Sequence, residues 1–325
     1  MKIIFLRGSV PPANEHPEKL LYNFIEECED QWTQLFYYLT KSLGATGELL
    51  YQGGNRESNF VDFTDMWVKK IAKYDCGYEP DLIVCRGGFD YYDKFVKRFP
   101  KAKKVYYGAG KRYYPKTGFT HYDLFLADSK KQRKKIKAKG KRSKLFIKPA
   151  ATLFKPYNVD KKYDICFMAN ASQSDIKRHI LLIKSFANTE YTILNLGNTD
   201  KRLIQLAKKY NVNITWGGWH LRKHLPEKIS QCKVGICCST NYDSCPRVIP
   251  EYLACGLPVI ATSNMNFWHD KYITNKTGVL VNEHDLLGGI QDALKIKAGV
   301  RRYYDNNLGM EKAVEHLKKL VENIL

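Results

Sequence analysis

The stretch Asp243–Thr262, DSCPRVIPEYLACGLPVIAT, restricts the possible fold of this chain more than any other part of the sequence. Pro246 and Pro250 lie near the expected start of a helix, where proline is tolerated because the first backbone N–H groups have no partner inside the helix. Gly256 predicts the end of this short helix, and the apolar run after it predicts a buried strand. A loop, a helix and a strand in this order indicate a unit of an α/β domain.

Two acids of this stretch, Asp243 and Glu251, lie eight residues apart across the predicted junction of loop and helix. The free N–H groups and the positive end of a helix suit a phosphate or a sugar oxygen. A carboxylate on that helix can accept two hydrogen bonds at once, which suits the diol of a sugar. The pattern is therefore suited to a ligand that carries sugar and phosphate groups.

The whole stretch resembles the donor-binding signature of the group-one glycosyltransferases, in which two acids separated by seven residues precede an A-C-G-x-P-V-I run. Members of this family have the GT-B fold and use a nucleotide-sugar as the donor. The resemblance implies that Glu251 binds the ribose of the donor and that Asp243 is the catalytic carboxylate beside the donor sugar. It also implies a UDP- or GDP-sugar as donor, with no other cofactor and no metal.

Part of the stretch departs from the family's pattern. Asp243 occupies the position of a usual Glu, and the turn Ser244-Cys245-Pro246 replaces a glycine-rich turn. Pro246 has no N–H to offer to the sugar. We nevertheless expect Ser244 and Cys245 to line the donor site. We expect Arg247 to compensate for the missing N–H, because some members carry an arginine just before the helix.

Basic residues near the first strand of the C-terminal half are candidates for contacting the donor diphosphate. The family usually has a Gly-Arg pair at the end of this strand, and Ala169-Asn170 replaces it here. Lys177 and Arg178 are the nearest basic residues, so the resemblance assigns the diphosphate to them together with Arg247. Cations already in position, together with helix N-termini, can stabilise a leaving diphosphate without a metal. A solvated helix surface is the alternative for Lys177.

The run Trp216–His220, WGGWH, falls where the family's loop meets the nucleotide base. Gly217 would let the backbone approach a ring, and the side chain of Trp216 is able to stack on one. Packing of the tryptophan in the core is an equally good interpretation. We place Trp216 and Gly217 in the donor site and keep both interpretations open.

Strand and helix patterns alternate along the second half of the chain, which predicts a parallel sheet of right-handed βαβ units. We predict an α/β protein of the GT-B class, in which two Rossmann-like domains with parallel sheets face each other across a cleft. Residues 1–157 would bind the acceptor and residues 158–325 the nucleotide-sugar. The final helix, Glu311–Leu325, is able to pack back on the first domain. Periodicity also predicts helices at Phe63–Tyr74 and Asp175–Phe186.

Candidate acceptor residues follow two predicted strands of the first half. Arg86 and Gly87 come directly after the buried strand Asp81–Cys85, and ligands gather at the carboxyl ends of such strands. A tight turn is an equally good interpretation of the glycine. Lys111 and Arg112 follow the next strand in a glycine-containing loop that resembles a phosphate loop but lacks the spacing of a Walker motif.

Positive charge is concentrated in one part of the chain. The formal net charge is +20, from 53 Lys and Arg against 33 Asp and Glu. The segment Ser129–Lys148 contains eleven basic residues and no acid. Such a surplus attracts polyanions, which include nucleic acid, an anionic membrane surface and an acidic glycan. The alternative is a solvated helix in a lysine-rich protein.

The cysteines, the apolar runs and the lack of metal-binding motifs in the sequence indicate the cellular compartment of the protein and exclude some kinds of site. Nine cysteines, an odd number without a framework spacing, favour buried thiols in a reducing cytoplasm. No run reaches the roughly 18 apolar residues of a membrane span. The sequence has neither the Asp-x-Asp motif of metal-dependent GT-A enzymes at a strand end nor a His- or Cys-rich zinc cluster.

The sequence thus predicts glycosyl transfer from a nucleotide-sugar, with retention of the anomeric configuration favoured by the resemblance. The acceptor that best explains the basic first half is a hydroxymethylated base in DNA, as in phage DNA glycosyltransferases that share this fold. A cell-envelope glycan or lipid at an anionic membrane surface is the alternative acceptor. A catalytically weakened nucleotide-sugar-binding module and a pure nucleic-acid-binding protein are the rival functions, and the second leaves the signature unexplained.

Overall fold

The computed structural model describes residues 1–7, 25, 28–51, 66–70, 77–87, 90–108, 120–243 and 245–325. The chain forms two compact units. The first comprises Met1–Ile147, Ala151–Leu153 and Met310–Leu325, and the second comprises Lys148–Ala150 and Phe154–Gly309. Each unit therefore contains residues from separate parts of the chain.

The first unit contains a parallel sheet of seven strands in the order β3-β2-β1-β4-β5-β6-β7. Its strands are β1 (Lys2–Arg7), β2 (Thr46–Tyr51), β3 (Met66–Lys70), β4 (Leu82–Arg86), β5 (Lys103–Tyr107), β6 (Leu124–Ala127) and β7 (Ser143–Leu145). The central strands are buried, which explains why they form continuous apolar runs in the sequence rather than alternating patterns. The order of the strands reverses between β1 and β4, which are hydrogen-bonded neighbours.

The helices described in the first unit are α1 (Gln31–Ser42), α2 (Asp90–Val96), α3 (Lys130–Lys137) and α12 (Met310–Glu322). The last of these packs against α1. The residues of α12 that are buried recur at helical spacing: Met310, Ala313, Val314, Leu317 and Val321. Lys318 adds a hydrogen bond of 2.7 Å from its ammonium group to the carbonyl oxygen of Ser42.

The helix predicted at Phe63–Tyr74 is wrong for the part of that range that the structure describes. Met66–Lys70 forms β3, which pairs in parallel with β2 at the edge of the sheet, with Met66 opposite Gly47. A short segment has little intrinsic preference between helix and strand. The hydrogen bonds offered by β2 therefore decide its conformation.

The second unit contains a parallel sheet of six strands in the order β10-β9-β8-β11-β12-β13. Its strands are β8 (Tyr163–Met168), β9 (Ile193–Leu196), β10 (Ile214–Gly218), β11 (Cys232–Cys237), β12 (Val259–Thr262) and β13 (Gly278–Val281). The order reverses between β8 and β11, which are also hydrogen-bonded neighbours. The regular alternation predicted for this half of the chain is confirmed.

The helices described in the second unit are α4 (Ser174–Lys177), α5 (His179–Ser185), α6 (Lys201–Lys209), α7 (Leu225–Ser230), α8 (Val248–Ala254), α9 (His269–Tyr272), α10 (Leu286–Leu294) and α11 (Val300–Asn307). The single helix predicted at Asp175–Phe186 is wrong, because Arg178 interrupts it. Arg178 has φ 62° and ψ 45°, a left-handed conformation that separates α4 from α5. Hydrophobic periodicity does not report such a break, because it reflects the spacing of apolar residues and not the backbone conformation of one residue between them.

Candidate functional site

The loops that follow β8 and β11 meet at the point where the order of the strands in the second unit reverses. Ligands of open α/β sheets bind outside the carboxyl ends of the strands at such a point. The first loop leads from Met168 into α4, and the second contains Asp243 and leads into α8. Two hydrogen bonds join the second loop to α4, from Thr240 N to the oxygen of Ile176 at 2.8 Å and from Cys238 Sγ to the oxygen of Lys177 at 3.6 Å.

The signature stretch folds as a loop, a short helix and a strand. Arg247 is exposed and directly precedes α8, and Pro250 lies in the first turn of the helix. Gly256 has φ 78° and follows the helix, as predicted. Cys245 is buried with φ 45°, and its carbonyl oxygen accepts a hydrogen bond of 2.6 Å from Nζ of the buried Lys148. Sequence reasoning missed Lys148, which lies far from the signature in the chain.

Asp243, in the second loop, forms an ion pair with Lys177, the last residue of α4. Their side chains are 20% and 18% exposed, so both are partly shielded from water and both remain accessible to a ligand. The structure thus brings together the residue assigned to catalysis and one residue assigned to the donor diphosphate. The pair also means that a ligand phosphate near Lys177 must share the ammonium group with Asp243.

Arg178 lies beside Lys177 in sequence but contacts a different acid. Its Nη1 is 2.5 Å from Oε2 of Glu283, which follows β13, and Nδ2 of Asn264 donates to the same oxygen at 2.8 Å. The hydrogen bond from Arg178 and its charge hold the pKa of Glu283 below its usual value. Glu283 was not predicted, since a lone acid after an apolar strand has no distinguishing pattern.

His179 follows Arg178 and is the first residue of α5. Its ring is buried and packs edge-on against Phe167 with 5.0 Å between the ring centroids. Neither ring nitrogen makes a hydrogen bond of regular geometry in the part of the chain that the structure describes, although the backbone of Ala169 interacts with the ring and acts to raise its pKa. Burial lowers the pKa of this histidine, because a low-dielectric environment disfavours the charged form.

Glu251 is buried on α8, and its Oε1 accepts a hydrogen bond of 2.7 Å from Nη2 of Arg222. The guanidinium of Arg222 lies over the ring of Phe154, 5.2 Å from its centroid. The acid assigned to the ribose therefore has a basic neighbour that sequence reasoning missed. Arg222 belongs to a short basic run with Lys223 and His224, and nothing in the sequence distinguishes the three.

The two tryptophans near β10 differ in their surroundings. Trp216 is half-buried and packs against the cluster formed by Ala171, Ile183, Leu203 and Ala207. A Cβ on Gly217 would lie 3.1 Å from the oxygen of Asn195, so this glycine allows close packing against β9. Trp219, by contrast, is 62% exposed. Core packing accounts for Trp216, and Trp219 is the tryptophan with a ring surface open to a ligand.

The candidate acceptor residues that the structure describes lie at the carboxyl edge of the first unit's sheet. Arg86 lies over the ring of Trp32, 4.7 Å from its centroid, and Gly87 has φ 115° and donates to the oxygen of Tyr107. Arg7, opposite Arg86 in the ladder, forms an ion pair with Asp30. Burial acts to raise the pKa of Asp30, but Arg7, the N–H of Thr33 and Arg86 together hold it below its usual value. Lys111, Arg112 and Ser244 lie outside the described residues.

Three further features concern the part of the chain that the structure describes: its potential metal ligands, its thiols and its apolar helices. There, no group of three or more His, Cys, Asp or Glu residues is arranged to hold a metal ion. The eight described cysteines are buried, as predicted, and no disulfide joins them. None of the described helices combines the length and the apolar character needed to cross a bilayer.

The model of the family "Glycosyl transferases group 1" matches residues 150–310. Among solved structures, sucrose-phosphate synthase from Thermosynechococcus elongatus matches at a TM-score of 0.72 and 14% identity, covering 99% of this chain and 98% of that chain. The lipopolysaccharide outer core galactosyltransferase WaaB matches at 0.73 and 15% identity, covering 100% of each chain. Anabaena HepE in complex with UDP and glucose matches at 0.67 and 14% identity, covering 99% and 100%. No curated protein matches this sequence. The predicted GT-B fold is confirmed.

Proposed function

Because the chain belongs over residues 150–310 to the group 1 glycosyltransferases, we propose that it transfers a sugar from a UDP- or GDP-sugar to a polyanionic acceptor. The acceptor we propose is DNA that contains hydroxymethylated bases. A UDP-sugar is the first donor to test, since HepE, which is similar in fold, is described in complex with UDP and glucose. In this proposal the reaction needs the nucleotide-sugar donor and neither a metal nor another cofactor.

The ion pair between Lys177 and Asp243, with Glu251 on the adjoining helix, is the observation that supports the donor site. In this proposal Glu251 accepts from the ribose, Asp243 contacts the donor sugar, and Lys177 contacts the diphosphate. Arg247 is exposed at the start of α8 and supplies a second cation for the phosphates. Preorganised cations of this kind lower the free energy of a transition state in which negative charge develops on the leaving group.

The proposed reaction breaks the bond between the anomeric carbon of the donor sugar and the diphosphate oxygen. The acceptor hydroxyl oxygen forms the new bond to that carbon, and its proton passes to the leaving diphosphate. Attack from the same face as the leaving group retains the anomeric configuration. A double displacement would instead need a carboxylate nucleophile beside the anomeric carbon, and Asp243 is already paired with Lys177.

The exposed basic residues of α3 and the segment after it support a polyanionic acceptor. The following lysines are exposed and have no acidic partner among the described residues: Lys131, Lys134, Lys135, Lys137, Lys139 and Lys144. DNA would gain affinity from these lysines because neutralising its phosphates releases counterions. An anionic membrane would use the same charges. However, Ile136, the one large apolar residue of α3, is buried and offers no contact to a bilayer. DNA is therefore the acceptor that α3 fits better.

The cysteines support a cytoplasmic protein. The eight that the structure describes are buried and form no disulfides with one another. Proteins of oxidising compartments commonly use disulfides, whereas thiols persist in a reducing cytoplasm. DNA as the acceptor is consistent with that compartment.

The experiment is to incubate the protein and a pool of UDP- and GDP-sugars with a duplex that contains hydroxymethylcytosine and with the same duplex that contains cytosine. Digestion to nucleosides and mass analysis then detect an added sugar. We expect a sugar on the hydroxymethylated duplex alone. Vesicles with an anionic headgroup, offered with the same donors, test the envelope acceptor. If neither duplex gains a sugar and DNA binding has no steep dependence on salt, the DNA acceptor is wrong.

Glu251→Gln is the matched inactive control for this assay. It removes a charged acceptor facing the proposed ribose, and a charged hydrogen bond contributes about 1.5–3 kcal/mol, so we expect donor affinity to fall roughly ten- to hundredfold. Calorimetric titration with UDP and GDP measures the loss, and Glu227→Gln, an exposed acid of α7, should bind as the wild type does. Unchanged affinity in Glu251→Gln would remove this acid from the donor site. Nucleotide binding without cleavage of any nucleotide-sugar would instead indicate a binding module.

A further inference from the structure

Arg222 contacts the acid that the proposed function assigns to the ribose. Its Nη2 donates to Oε1 of Glu251 at 2.7 Å, and the Glu251 side chain is only 4% exposed. Within the described part of the chain, Arg222 is the one side chain that donates to this carboxylate, and no donor reaches Oε2. Oε1 therefore already accepts one charged hydrogen bond, whereas Oε2 accepts none from the described residues.

A second contact holds the guanidinium in place. Arg222 lies over the ring of Phe154, 5.2 Å from its centroid, and this cation–π interaction restrains the guanidinium. A planar group held in this way loses little further freedom when it donates a hydrogen bond. Arg222 also begins the short 3-10 turn Arg222–His224, which follows β10 in the chain. Arg222, which is itself restrained by Phe154, thus orients the carboxylate of Glu251.

We propose that Arg222 determines donor specificity by engaging one oxygen of Glu251, so that this acid accepts more strongly from one ribose hydroxyl than from the other. The inference rests on the proposed function, because it takes Glu251 as the ribose-binding acid. A carboxylate with both oxygens available accepts from both hydroxyls of a diol, and loss of either hydroxyl weakens binding. When one oxygen is already engaged by an arginine, it has fewer lone pairs and less charge to offer, so we expect binding to depend more on the hydroxyl that contacts the other oxygen.

The test compares nucleotides that lack one hydroxyl. Calorimetric titration of the wild type is carried out with UDP and GDP and with the 2′-deoxy and 3′-deoxy form of each. We expect one deoxy form of the bound nucleotide to lose about tenfold or more in affinity and the other to lose less than about threefold. Equal losses of about tenfold or more for both forms would mean that Glu251 accepts from the whole diol, and would overturn the inference.

Arg222→Gln releases Oε1 for the ligand. We expect the two deoxy forms to lose affinity by similar factors in this variant, whereas Arg222→Lys, which keeps a cationic donor, should preserve part of the difference. Lys223→Gln is the matched control, because it removes the same charge from the same turn at an exposed position. It should retain the full difference between the deoxy forms.

Two further outcomes separate this inference from the proposed function. If Arg222→Gln melts at a lower temperature yet keeps the wild-type difference between deoxy forms, Arg222 is only a structural partner and the inference is wrong. If the wild type binds neither UDP nor GDP, the proposed function fails and this inference fails with it. If Arg222→Gln does not fold, the wild-type comparison and Arg222→Lys still decide the question.

Discussion

Lys148 donates a hydrogen bond of 2.6 Å from its ammonium group to the carbonyl oxygen of Cys245, 97 positions later in the chain. Lys148 is only 5% exposed, and Tyr272 fixes its backbone by accepting from its N–H and donating to its carbonyl oxygen. Cys245 has a positive φ, which is uncommon for a residue other than glycine. The turn between Asp243 and α8 is therefore stabilised by a cation from a distant part of the same unit.

Lys148→Met should lower both the free energy of unfolding and the affinity for nucleotide. The substitution removes the charged hydrogen bond from Lys148 to the carbonyl oxygen of Cys245, and such a bond contributes about 1.5–3 kcal/mol. Urea denaturation and calorimetric titration with UDP and GDP measure the two effects. Lys144→Met is the control, because Lys144 is exposed and lies in the same segment. A variant at 148 that is as stable as the control would show that the hydrogen bond does not hold the turn.

Lys177→Ala and Arg247→Ala should each weaken binding of a nucleoside diphosphate more than binding of the free nucleoside. We expect a loss of roughly tenfold for UDP or GDP, because a hydrogen bond to a charged group is removed. Titration with UDP and uridine, and with GDP and guanosine, gives the ratio. Lys184→Ala, an exposed lysine of α5, should leave both affinities unchanged. Equal losses for diphosphate and nucleoside would place these residues away from the phosphates.

His179→Phe should lose less unfolding free energy than the wild type does when the pH falls below 6.5. Burial lowers the pKa of His179 below its ordinary value of 6.5, so the unfolded chain binds a proton more readily than the folded chain. The stabilisation of the fold that depends on a neutral His179 is therefore complete above pH 6.5, and it decreases as the pH falls toward the lowered pKa of His179. Phenylalanine fills a similar volume and does not titrate.

Urea denaturation of the wild type and His179→Phe, compared between about pH 8 and about pH 5, isolates this contribution. The difference in unfolding free energy between the two proteins should shift in favour of the variant as the pH falls. His224→Gln, at an exposed position, serves as the control. If the difference in unfolding free energy between the wild type and His179→Phe is the same at every pH in this range, burial does not lower the pKa of His179.

Reversing two charges on α3 should weaken binding to DNA and reduce its dependence on salt. Each phosphate contact that is lost reduces the slope of log K against log salt by about 0.9 for duplex DNA. We therefore expect Lys134→Glu/Lys135→Glu to bind more weakly and with a slope of smaller magnitude. The control Lys208→Glu/Lys209→Glu makes the same change in net charge on exposed residues of α6 in the second unit. If both double substitutions weaken DNA binding and its dependence on salt to the same extent, net charge rather than α3 accounts for the binding.

Local patterns in the sequence predicted the parts of the fold that depend on local burial. The alternation of strands and helices in the second unit and the glycine after α8 follow from apolar runs and from the preferences of glycine. Two predictions failed where tertiary contacts decide the conformation. β3 is a strand because β2 offers an edge, and Arg178 breaks a helix at a position where it also contacts Glu283.

The site could be predicted only where a motif is contiguous. Asp243 and Glu251 lie in one stretch and were assigned roles, but the partners that fix neighbouring groups come from elsewhere in the second unit. Lys148, Arg222 and Glu283 lie on separate segments that the sheet topology brings to one region. A lysine, an arginine or a glutamate in a charged sequence carries no local signal of the residue it will contact.

The packing of α12 against α1 has a consequence for the order in which the protein can be made. A ribosome delivers the chain from the N-terminus, and domains generally fold as units during synthesis. The first unit, however, includes Met310–Leu325, and α12 covers α1 with an apolar face and a hydrogen bond from Lys318 to Ser42. The second unit can complete its fold while the first still exposes the surface that α12 will cover. A nascent chain therefore carries an exposed apolar patch on α1 until α12 has left the ribosome.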